Sequence, residues 1–164
     1  MNVREIHADD WVQFRAIRLQ ALLESPQAFG GTYLAESALT DEQWQGRARF
    51  YQEDAGTCFM LGFEGETPMA MAGVYRDKTK AGVAHLYSVW TAPAWRGKGV
   101  TQQLIEPMFA WARATNLPIM EGWVTAHNER ALGFYRKAGF QITSENCPLR
   151  WDPTVQQVLI RKRL

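Results

Sequence analysis

The chain has 164 residues, of which 46% are apolar and 12% aromatic, enough to build the core of a single domain over residues 1–164. Its 18 Lys and Arg residues nearly balance its 17 Asp and Glu residues, giving a formal net charge of +1. This balance argues against a broad nucleic-acid-binding or membrane-binding surface, and no apolar run approaches transmembrane length.

The first third of the sequence predicts a short strand and two helices. Residues 3–6 alternate briefly like a strand. Asp9 or Asp10 can cap a helix that continues to about Glu24, with its apolar residues at helical spacing. A second helix is predicted over residues 40–53.

Between these two helices lies a glycine-rich segment, residues 27–33, that carries two aromatic side chains. It is too rich in glycine for regular structure, so we interpret it as a loop. The loop either packs down through Phe29 or forms a mobile wall of a substrate pocket. In the second interpretation Phe29, Tyr33 and Glu36 contact the substrate, and Trp44 adds another aromatic wall.

The middle of the chain changes to a strand period. Residues 58–63, 68–75 and 82–90 are rich in apolar and β-forming side chains, and short polar connectors join them. Short connectors predict an antiparallel meander. The following residues, 102–115, have the spacing of an amphipathic helix.

The remaining sequence predicts a strand over residues 118–125 and a helix that Asn128 caps and Gly139 ends. Two more strands follow, over residues 140–143 and 154–160, with a turn-rich loop between them. The element order predicts an α/β fold: a mixed sheet of about seven strands with about four helices on its faces.

Residues 95–101 join the third strand of the meander to the next helix, with the sequence Trp-Arg-Gly-Lys-Gly-Val-Thr. Two glycines at such a junction allow a tight turn whose N–H groups point outward, at the positive end of the helix. The stretch is therefore either an anion-binding turn or an ordinary turn. A Walker A loop is excluded because Gly99 follows Lys98, and a dinucleotide fingerprint because Gln102 stands where it needs a glycine.

The run 92–100, followed further along by residues 128–131 and 134–140, resembles the GNAT superfamily of N-acetyltransferases. The similarity extends over nearly the whole chain, from residues 24–30 to residues 148–153. It implies the GNAT fold, in which a meander is followed by a splayed strand and a cofactor-binding helix. It also implies acetyl-CoA as the cofactor and transfer of its acetyl group to an amine.

The resemblance assigns the cofactor contacts to two segments. Val89, Trp90 and Thr91 match the splayed strand, whose main chain pairs with pantetheine and polarises the thioester carbonyl. The motif that wraps the pyrophosphate corresponds to Arg96, Gly97, Lys98, Gly99, Val100 and Thr101. The last of these positions departs from the family pattern, and we expect the Thr101 hydroxyl to donate to a phosphate there.

By the same resemblance, Asn128 contacts the pantetheine arm and Tyr135 protonates the departing thiolate. Acetyl transfer needs a neutral amine, donors for the developing oxyanion and a proton for the thiolate. A tyrosine with its ordinary pKa of ~10 holds such a proton at neutral pH. In the alternative interpretation, Tyr135 has no catalytic role and only packs on the sheet. For Asn128 the two roles are compatible, because its side-chain oxygen can cap a helix while its amide N–H groups contact the cofactor.

The sequence does not identify which residue acts as the general base. His85 titrates in the useful range, and alternation along its strand predicts that it shares a face with Val89, opposite Trp90. It can equally be a structural histidine. Glu36 and Glu121 are rival carboxylates, and an amine that arrives neutral needs no base. No cluster of side chains indicates a metal.

The function that fits these residues best is transfer of an acetyl group to the primary amine of a small molecule. A protein N-terminus or lysine is the second acceptor, and a non-catalytic acyl-CoA sensor is the alternative class. Cys58 and Cys147 are expected to be free thiols, and with no signal peptide the protein is expected in the cytoplasm. A surface strand can pair two copies as a homodimer.

Overall fold

A seven-stranded sheet forms the centre of the computed structural model, which describes residues 2–164. Residues 2–164 also form five α-helices. The predicted α/β class is confirmed. The strands are Asn2–Glu5 (β1), Thr57–Glu64 (β2), Thr67–Arg76 (β3), Val83–Thr91 (β4), Ile119–Thr125 (β5), Gln141–Leu149 (β6) and Asp152–Arg163 (β7). The helices are Trp11–Glu24 (α1), Tyr33–Ser37 (α2), Asp41–Glu53 (α3), Val100–Ala114 (α4) and Glu129–Lys137 (α5).

The strand order is β1-β2-β3-β4-β5-β7-β6, with β1 and β6 at the edges. Neighbouring strands are antiparallel except β4 and β5, which run parallel and are joined through α4. The β4–β5 pairing extends from Val83 opposite Ile119 to Leu86 opposite Gly122 and then ends, although both strands continue. The sheet therefore forks between β4 and β5, as the predicted splayed strand requires.

Two apolar clusters hold the helices on the two faces of the sheet. One lies under α4 and α5 and includes Leu104 and Met108, and the other lies under α1 and α3 and includes Phe14 and Trp44. Each large apolar side chain buried in this way contributes about 1.5–3 kcal/mol. No helix in residues 2–164 is both long and apolar enough to cross a membrane.

Local capping signals set the ends of the helices. Thr40 forms a capping box with Gln43 at the start of α3. The Asn128 side chain accepts a hydrogen bond from the Ala131 N–H (3.1 Å) at the start of α5, as predicted. Gly139, with a φ of 86°, follows the end of that helix.

Helix α2 corrects the prediction of a loop up to Tyr33. The helix begins at Tyr33, and the Thr32 hydroxyl caps it by accepting a hydrogen bond from the Ala35 N–H (3.3 Å). The glycines of the segment end at Gly31, just before this cap. A local cap therefore outweighs the glycine-rich composition of the preceding residues.

The last two strands correct the prediction of a long loop between them. Strand β6 continues to Leu149, and β7 begins at Asp152. After a register shift, residues 146–148 pair with β7. Pro148 is tolerated because β6 is an edge strand, so the missing N–H need not serve a second neighbour.

Strand β4 contains a bulge at Ser88. Gly73 of β3 pairs with Tyr87, whereas Met71 pairs with Trp90, so one residue of β3 stands opposite two residues of β4. Ser88 adopts a left-handed φ of 53°. Such a conformation costs a non-glycine residue about 1–3 kcal/mol, which the surrounding contacts must offset.

The bulge reverses the side-chain alternation predicted for the end of β4. Trp90 joins the cluster under α1 and α3, against which Tyr87 also packs, whereas Val89 packs against the cluster under α4 and α5. The predicted grouping of His85 with Val89, opposite Trp90, is therefore wrong. An inserted residue changes the strand period by one, and the apolar pattern alone does not reveal it.

Candidate active site

The candidate active site is the cleft between the diverging ends of β4 and β5. Beyond Leu86 and Gly122 the two strands no longer pair, and within residues 2–164 no other strand fills the gap. At the start of the fork a Cβ on Gly122 would lie 3.3 Å from the Leu86 carbonyl oxygen, so the backbones are close there. Val89, Trp90 and Thr91 lie on the open part of β4, whose main-chain groups can pair with a ligand.

The turn before α4 presents a row of unpaired N–H groups. Gly97 and Gly99 adopt left-handed φ angles of 75° and 76°, and Gly99 is the N-cap of α4. Within the described chain, the N–H groups of residues 97–102 have no protein acceptor, and the next one, of Gln103, donates to the Gly99 carbonyl (3.2 Å). Because these donors lie at the positive end of a 15-residue helix, the turn fits an anion such as a pyrophosphate.

Thr101 links this turn to the end of β4. Its Oγ1 lies 3.0 Å from Oγ1 of Thr91, and either hydroxyl can be the donor. The hydroxyl that accepts this bond keeps its own proton for another acceptor. A phosphate contact by Thr101 is therefore compatible with the geometry and stays a prediction.

The Arg96 side chain is held by protein groups. Its guanidinium donates two hydrogen bonds to Glu24 (2.9 and 2.6 Å) and its Nε–H donates to the Thr91 carbonyl (2.8 Å). Glu24 also accepts from the Trp90 indole N–H (3.0 Å). These bonds, with Arg96 first among them, hold the pKa of Glu24 at about 2. The arginine thus ties the end of α1 to the end of β4 beside the turn.

Two further cations surround the turn. The Lys98 ammonium lies 4.5 Å from the centre of the Trp95 ring. Arg130, at the start of α5, is exposed, and its pKa is lowered by partial burial and by the nearby Arg96 charge. Together with the helix N-terminus, these charges favour a phosphate-bearing ligand.

Tyr135 packs its ring from α5 into the core beside the fork. The ring lies 5.2 Å from Phe134 and 5.3 Å from Phe140, centre to centre. Burial raises its pKa well above the ordinary value, so the hydroxyl is protonated at neutral pH. The hydroxyl has no hydrogen-bond partner within residues 2–164, yet it is not among the fully enclosed polar atoms, so it opens onto accessible space.

The Asn128 side chain keeps free hydrogen-bond donors in addition to its capping role. Its side-chain oxygen caps α5, whereas its amide N–H groups have no acceptor among the described residues. The amide therefore remains available as a donor at the end of β5, next to the fork.

His85 lies on β4, just before the strands part. Its Nε2 lies 3.2 Å from a carboxylate oxygen of Asp77 and 3.7 Å from one of Glu121, and its ring stacks on Tyr75. Burial and, to a smaller extent, the Lys80 charge lower its pKa more than Asp77 and Glu121 raise it, so the imidazole is neutral at neutral pH. If Asp77 fixes the proton on Nε2, the lone pair of Nδ1 is free to accept a proton.

A comparison with known protein families identifies the family to which the chain belongs. The model of the acetyltransferase (GNAT) family matches residues 6–140. The chain belongs to the GNAT family of acetyltransferases. The recognition made from the residue pattern, which implies acetyl-CoA as the cofactor of the family, is thereby confirmed.

Relatives and solved structures agree with this family. A segment of 62 residues is 32% identical to an uncharacterized N-acetyltransferase of Methanocaldococcus jannaschii, covering 38% of this chain and 27% of that protein. The match thus spans about a quarter of the curated relative. A GNAT-family acetyltransferase of Streptococcus pneumoniae shares the fold with a TM-score of 0.84, at 18% identity, with 99% of each chain covered. The Salmonella typhimurium protein YncA, solved with its cofactor acetyl-CoA, gives a TM-score of 0.80 at 16% identity, covering 100% of this chain and 94% of that one.

Of the rival bases in this GNAT chain, Glu121 is enclosed by cations. Its side chain is buried and pairs with Lys80 (3.0 Å) and Arg161 (2.6 Å). Burial alone would raise its pKa, but the two cations lower it below the ordinary value. Glu121 is thus an ionised partner of two cations beside His85.

Glu36 is also held by two arginines. Its carboxylate accepts from Arg18 (2.7 and 3.0 Å) and from Arg47 (3.0 Å), and the side chain is buried. Burial opposes ionisation, but the arginines lower its pKa below the ordinary value. Gly31 lies directly against it, since a Cβ there would overlap a Glu36 oxygen.

Arg18 connects this ion pair to the bulge of β4. Its guanidinium donates to the Ser88 hydroxyl (3.2 Å) and lies 4.8 Å from the centre of the Phe29 ring. We refer to Arg18, Glu36 and Arg47 as the arginine brace. It fixes the residue with the strained backbone at the fork, and no motif in the sequence indicated it.

The three aromatic candidates for the acceptor site lie in different environments. Trp44 is completely buried in the core, so its predicted role as a pocket wall is wrong. Phe29 is buried under Arg18, and its carbonyl accepts from the Trp151 indole N–H (2.8 Å). Tyr33 is exposed at the start of α2.

Proposed function

We propose that this GNAT protein transfers the acetyl group of acetyl-CoA directly to the primary amine of a small molecule. The observation that carries the proposal is the fork of β4 and β5, with free N–H groups at one end and the unpartnered Tyr135 hydroxyl nearby. When bound, acetyl-CoA supplies an activated acetyl group as a thioester. The remaining steps depend on residues of this chain.

The binding residues are those of the turn and the open strand. The N–H groups of residues 97–102 would hold the pyrophosphate, with the Thr101 hydroxyl as a further donor. The open edge at Val89, Trp90 and Thr91 would pair with the pantetheine amides and direct an N–H to the thioester oxygen. Asn128 would add an amide donor to the pantetheine arm.

The proposed chemistry moves two protons. The amine nitrogen bonds to the acetyl carbon as the carbon–sulfur bond breaks, and the amine proton passes to His85, directly or through water. Tyr135 donates its proton to the thiolate and regains one from solvent. Burial of both residues favours the neutral forms that these roles require.

A small acceptor is favoured over a protein segment by contacts that cover the α1 side of the fork. The Trp151 indole N–H, at the β6–β7 turn, donates to Phe29, and the Thr125 hydroxyl of β5 donates to the Gln27 carbonyl (2.7 Å). These bonds join the loop after α1 to β5 and to the β6–β7 turn. They narrow the path by which a polypeptide could reach the fork. The cytoplasmic location and a homodimer stay predictions.

A thiol-release screen with acetyl-CoA and a panel of amines tests the function. We expect thiol release above the enzyme-free rate with at least one small primary amine, and saturable acetyl-CoA binding by titration calorimetry. Tight binding without release for any amine would instead identify a sensor. Release that occurs only with peptides would overturn the small-molecule acceptor.

A further inference from the structure

A cavity of about 590 Å³ lies on the α1/α3 side of the sheet, next to His85. It is bounded by the end of α3, the start of β2, the end of β3 and Tyr87 of β4. Its volume is within the range of small-molecule sites, roughly 300–1,000 Å³. The sequence did not indicate it, because its walls come from four separate segments.

Aromatic rings form most of the apolar wall of this cavity. Tyr87 lies flat on β3, since a Cβ on Gly73 would be 2.5 Å from its ring. Tyr51 and Tyr75 flank it, with ring centres 6.4 and 5.5 Å away. At the opening, Phe50 and Tyr75 are 53% and 42% exposed, so their rings are accessible to a molecule that enters the cavity.

Two carboxylates and two cations provide the charged part of the wall. Asp77 receives hydrogen bonds from Thr79, which are the main reason that its pKa is about 2. Asp54 accepts from the Gly56 N–H (2.6 Å) with one oxygen and keeps the other free among the described residues. Of the two cations at the cavity, Arg76 donates to the Thr115 carbonyl (3.1 Å), and Lys78 is exposed on the β3–β4 loop.

The cavity adjoins the proposed transfer centre through two of its residues. Asp77 lines the cavity and also faces Nε2 of His85. Tyr87 lines it and directly precedes the Ser88 bulge at the fork. Tyr87 is therefore the cavity residue nearest the open end of β4, because Asp77 lies beside Val83 at the start of that strand, where β4 still pairs with β5.

We propose that this cavity is the acceptor site and selects a primary amine joined to an aromatic ring by a short chain. The proposal rests on the function proposed above. The ring would lie between Phe50, Tyr51 and Tyr75, where aromatic contacts add about 0.5–1.5 kcal/mol to the burial of apolar surface. The amine would lie at the Tyr87 end, next to the Ser88 bulge and the open part of β4.

The test compares 2-phenylethylamine with n-butylamine, which lacks the ring, in the intact protein with CoA or acetyl-CoA. The variants are Phe50→Ala and, as a control at an exposed apolar residue outside the cavity, Val12→Ala. We expect Phe50→Ala to weaken calorimetric binding of 2-phenylethylamine to the CoA-loaded protein about tenfold and to raise its KM equally. Its effect on n-butylamine and on acetyl-CoA affinity should be under about twofold, and Val12→Ala should match the parent.

Three outcomes separate this inference from the function. If CoA-loaded protein does not bind 2-phenylethylamine, or if Phe50→Ala binds it as the parent does, the cavity assignment is overturned. If the cavity assignment fails in either way but other amines are acetylated, the acetyltransferase function is supported without the acceptor cavity. If 2-phenylethylamine binds and Phe50→Ala weakens it, but no amine is acetylated, the site is supported and the transfer function fails.

Discussion

At the scale of single residues, the proposed function depends on two side chains whose burial favours their neutral forms. Tyr135 keeps its proton because its ring is buried, and His85 remains unprotonated for the same reason. Asp77 and Glu121 oppose the lowering of the His85 pKa, because they stabilise the charged imidazolium. The same neighbours that shift the pKa of His85 therefore offer ways to test its role.

The variant Tyr135→Phe should lower kcat about 100-fold, since a general acid contributes about 10²- to 10⁴-fold to a rate. The hydroxyl makes no hydrogen bond within residues 2–164, so stability and acetyl-CoA affinity should change little. Thiol-release kinetics and calorimetry measure the two effects separately. A kcat equal to that of the parent would remove Tyr135 from the mechanism.

The pH dependence should report His85. If neutral His85 is the base, kcat/KM rises with pH through a value below 6.5, the ordinary pKa of the residue. Asp77→Asn removes a charge that raises this pKa, so the rising limb should move to lower pH. His85→Gln should lose the limb. A limb that stays in place in both variants would show that another group, or none, acts as the base.

The same pKa shift predicts a change in stability. His85 has a lower pKa folded than unfolded, so the unfolded chain binds more protons, and this residue's contribution to stability is lost as pH falls from the unfolded pKa through the lower folded pKa. Urea unfolding of the parent and of His85→Gln at pH 7 and pH 5 measures it. The parent should lose more stability than the variant over this interval; equal losses would contradict the lowered pKa.

At the scale of elements, the arginine brace joins α1, α2 and α3 to the bulge of β4. Glu36 is buried and Arg18 is partly buried, and Arg18 also reaches Ser88. Removing one partner of a buried pair typically costs 3–5 kcal/mol, because the other charge is left uncompensated. The second partner of Glu36, Arg47, reduces that cost here.

The matched pair Arg18→Gln and Arg15→Gln tests this brace, since both residues lie on α1. We expect Arg18→Gln to destabilise the fold by about 2–4 kcal/mol. Arg15 forms an exposed pair with Asp41, so its loss should cost under about 1 kcal/mol. Denaturant unfolding measures both values. Equal losses would show that the brace carries no special role.

The glycines of the turn before α4 allow a second matched test. Gly99 and Gly65 both have left-handed φ angles, and a Cβ at either would meet no atom within 4 Å. Each Gly→Ala substitution should therefore cost about 1–2 kcal/mol of stability. Only Gly99→Ala should weaken acetyl-CoA binding, about tenfold, because the N–H groups move. Calorimetry that finds equal affinities would separate the turn from cofactor binding.

At the scale of the whole molecule, sequence reasoning succeeded where local chemistry determines the structure. The glycines at 97 and 99, the Asn128 cap and the meander periodicity are each read within a few residues, and the structure has them where predicted. The bulge at Ser88, the arginine brace and the cavity depend on contacts between distant segments. Their formation requires register and packing that a local pattern does not contain.

The proposed function requires that the fork bring an acetyl donor and a small amine together for direct transfer. Reaction with isotope-labelled acetyl-CoA, followed by mass spectrometry of CoA and amine together, tests it most directly. We expect one labelled N-acetyl product for each CoA released, with no labelled acetate or acetylated protein as an intermediate. Label that is found only in acetate or on the protein, or CoA release that does not change with the amine, would contradict it.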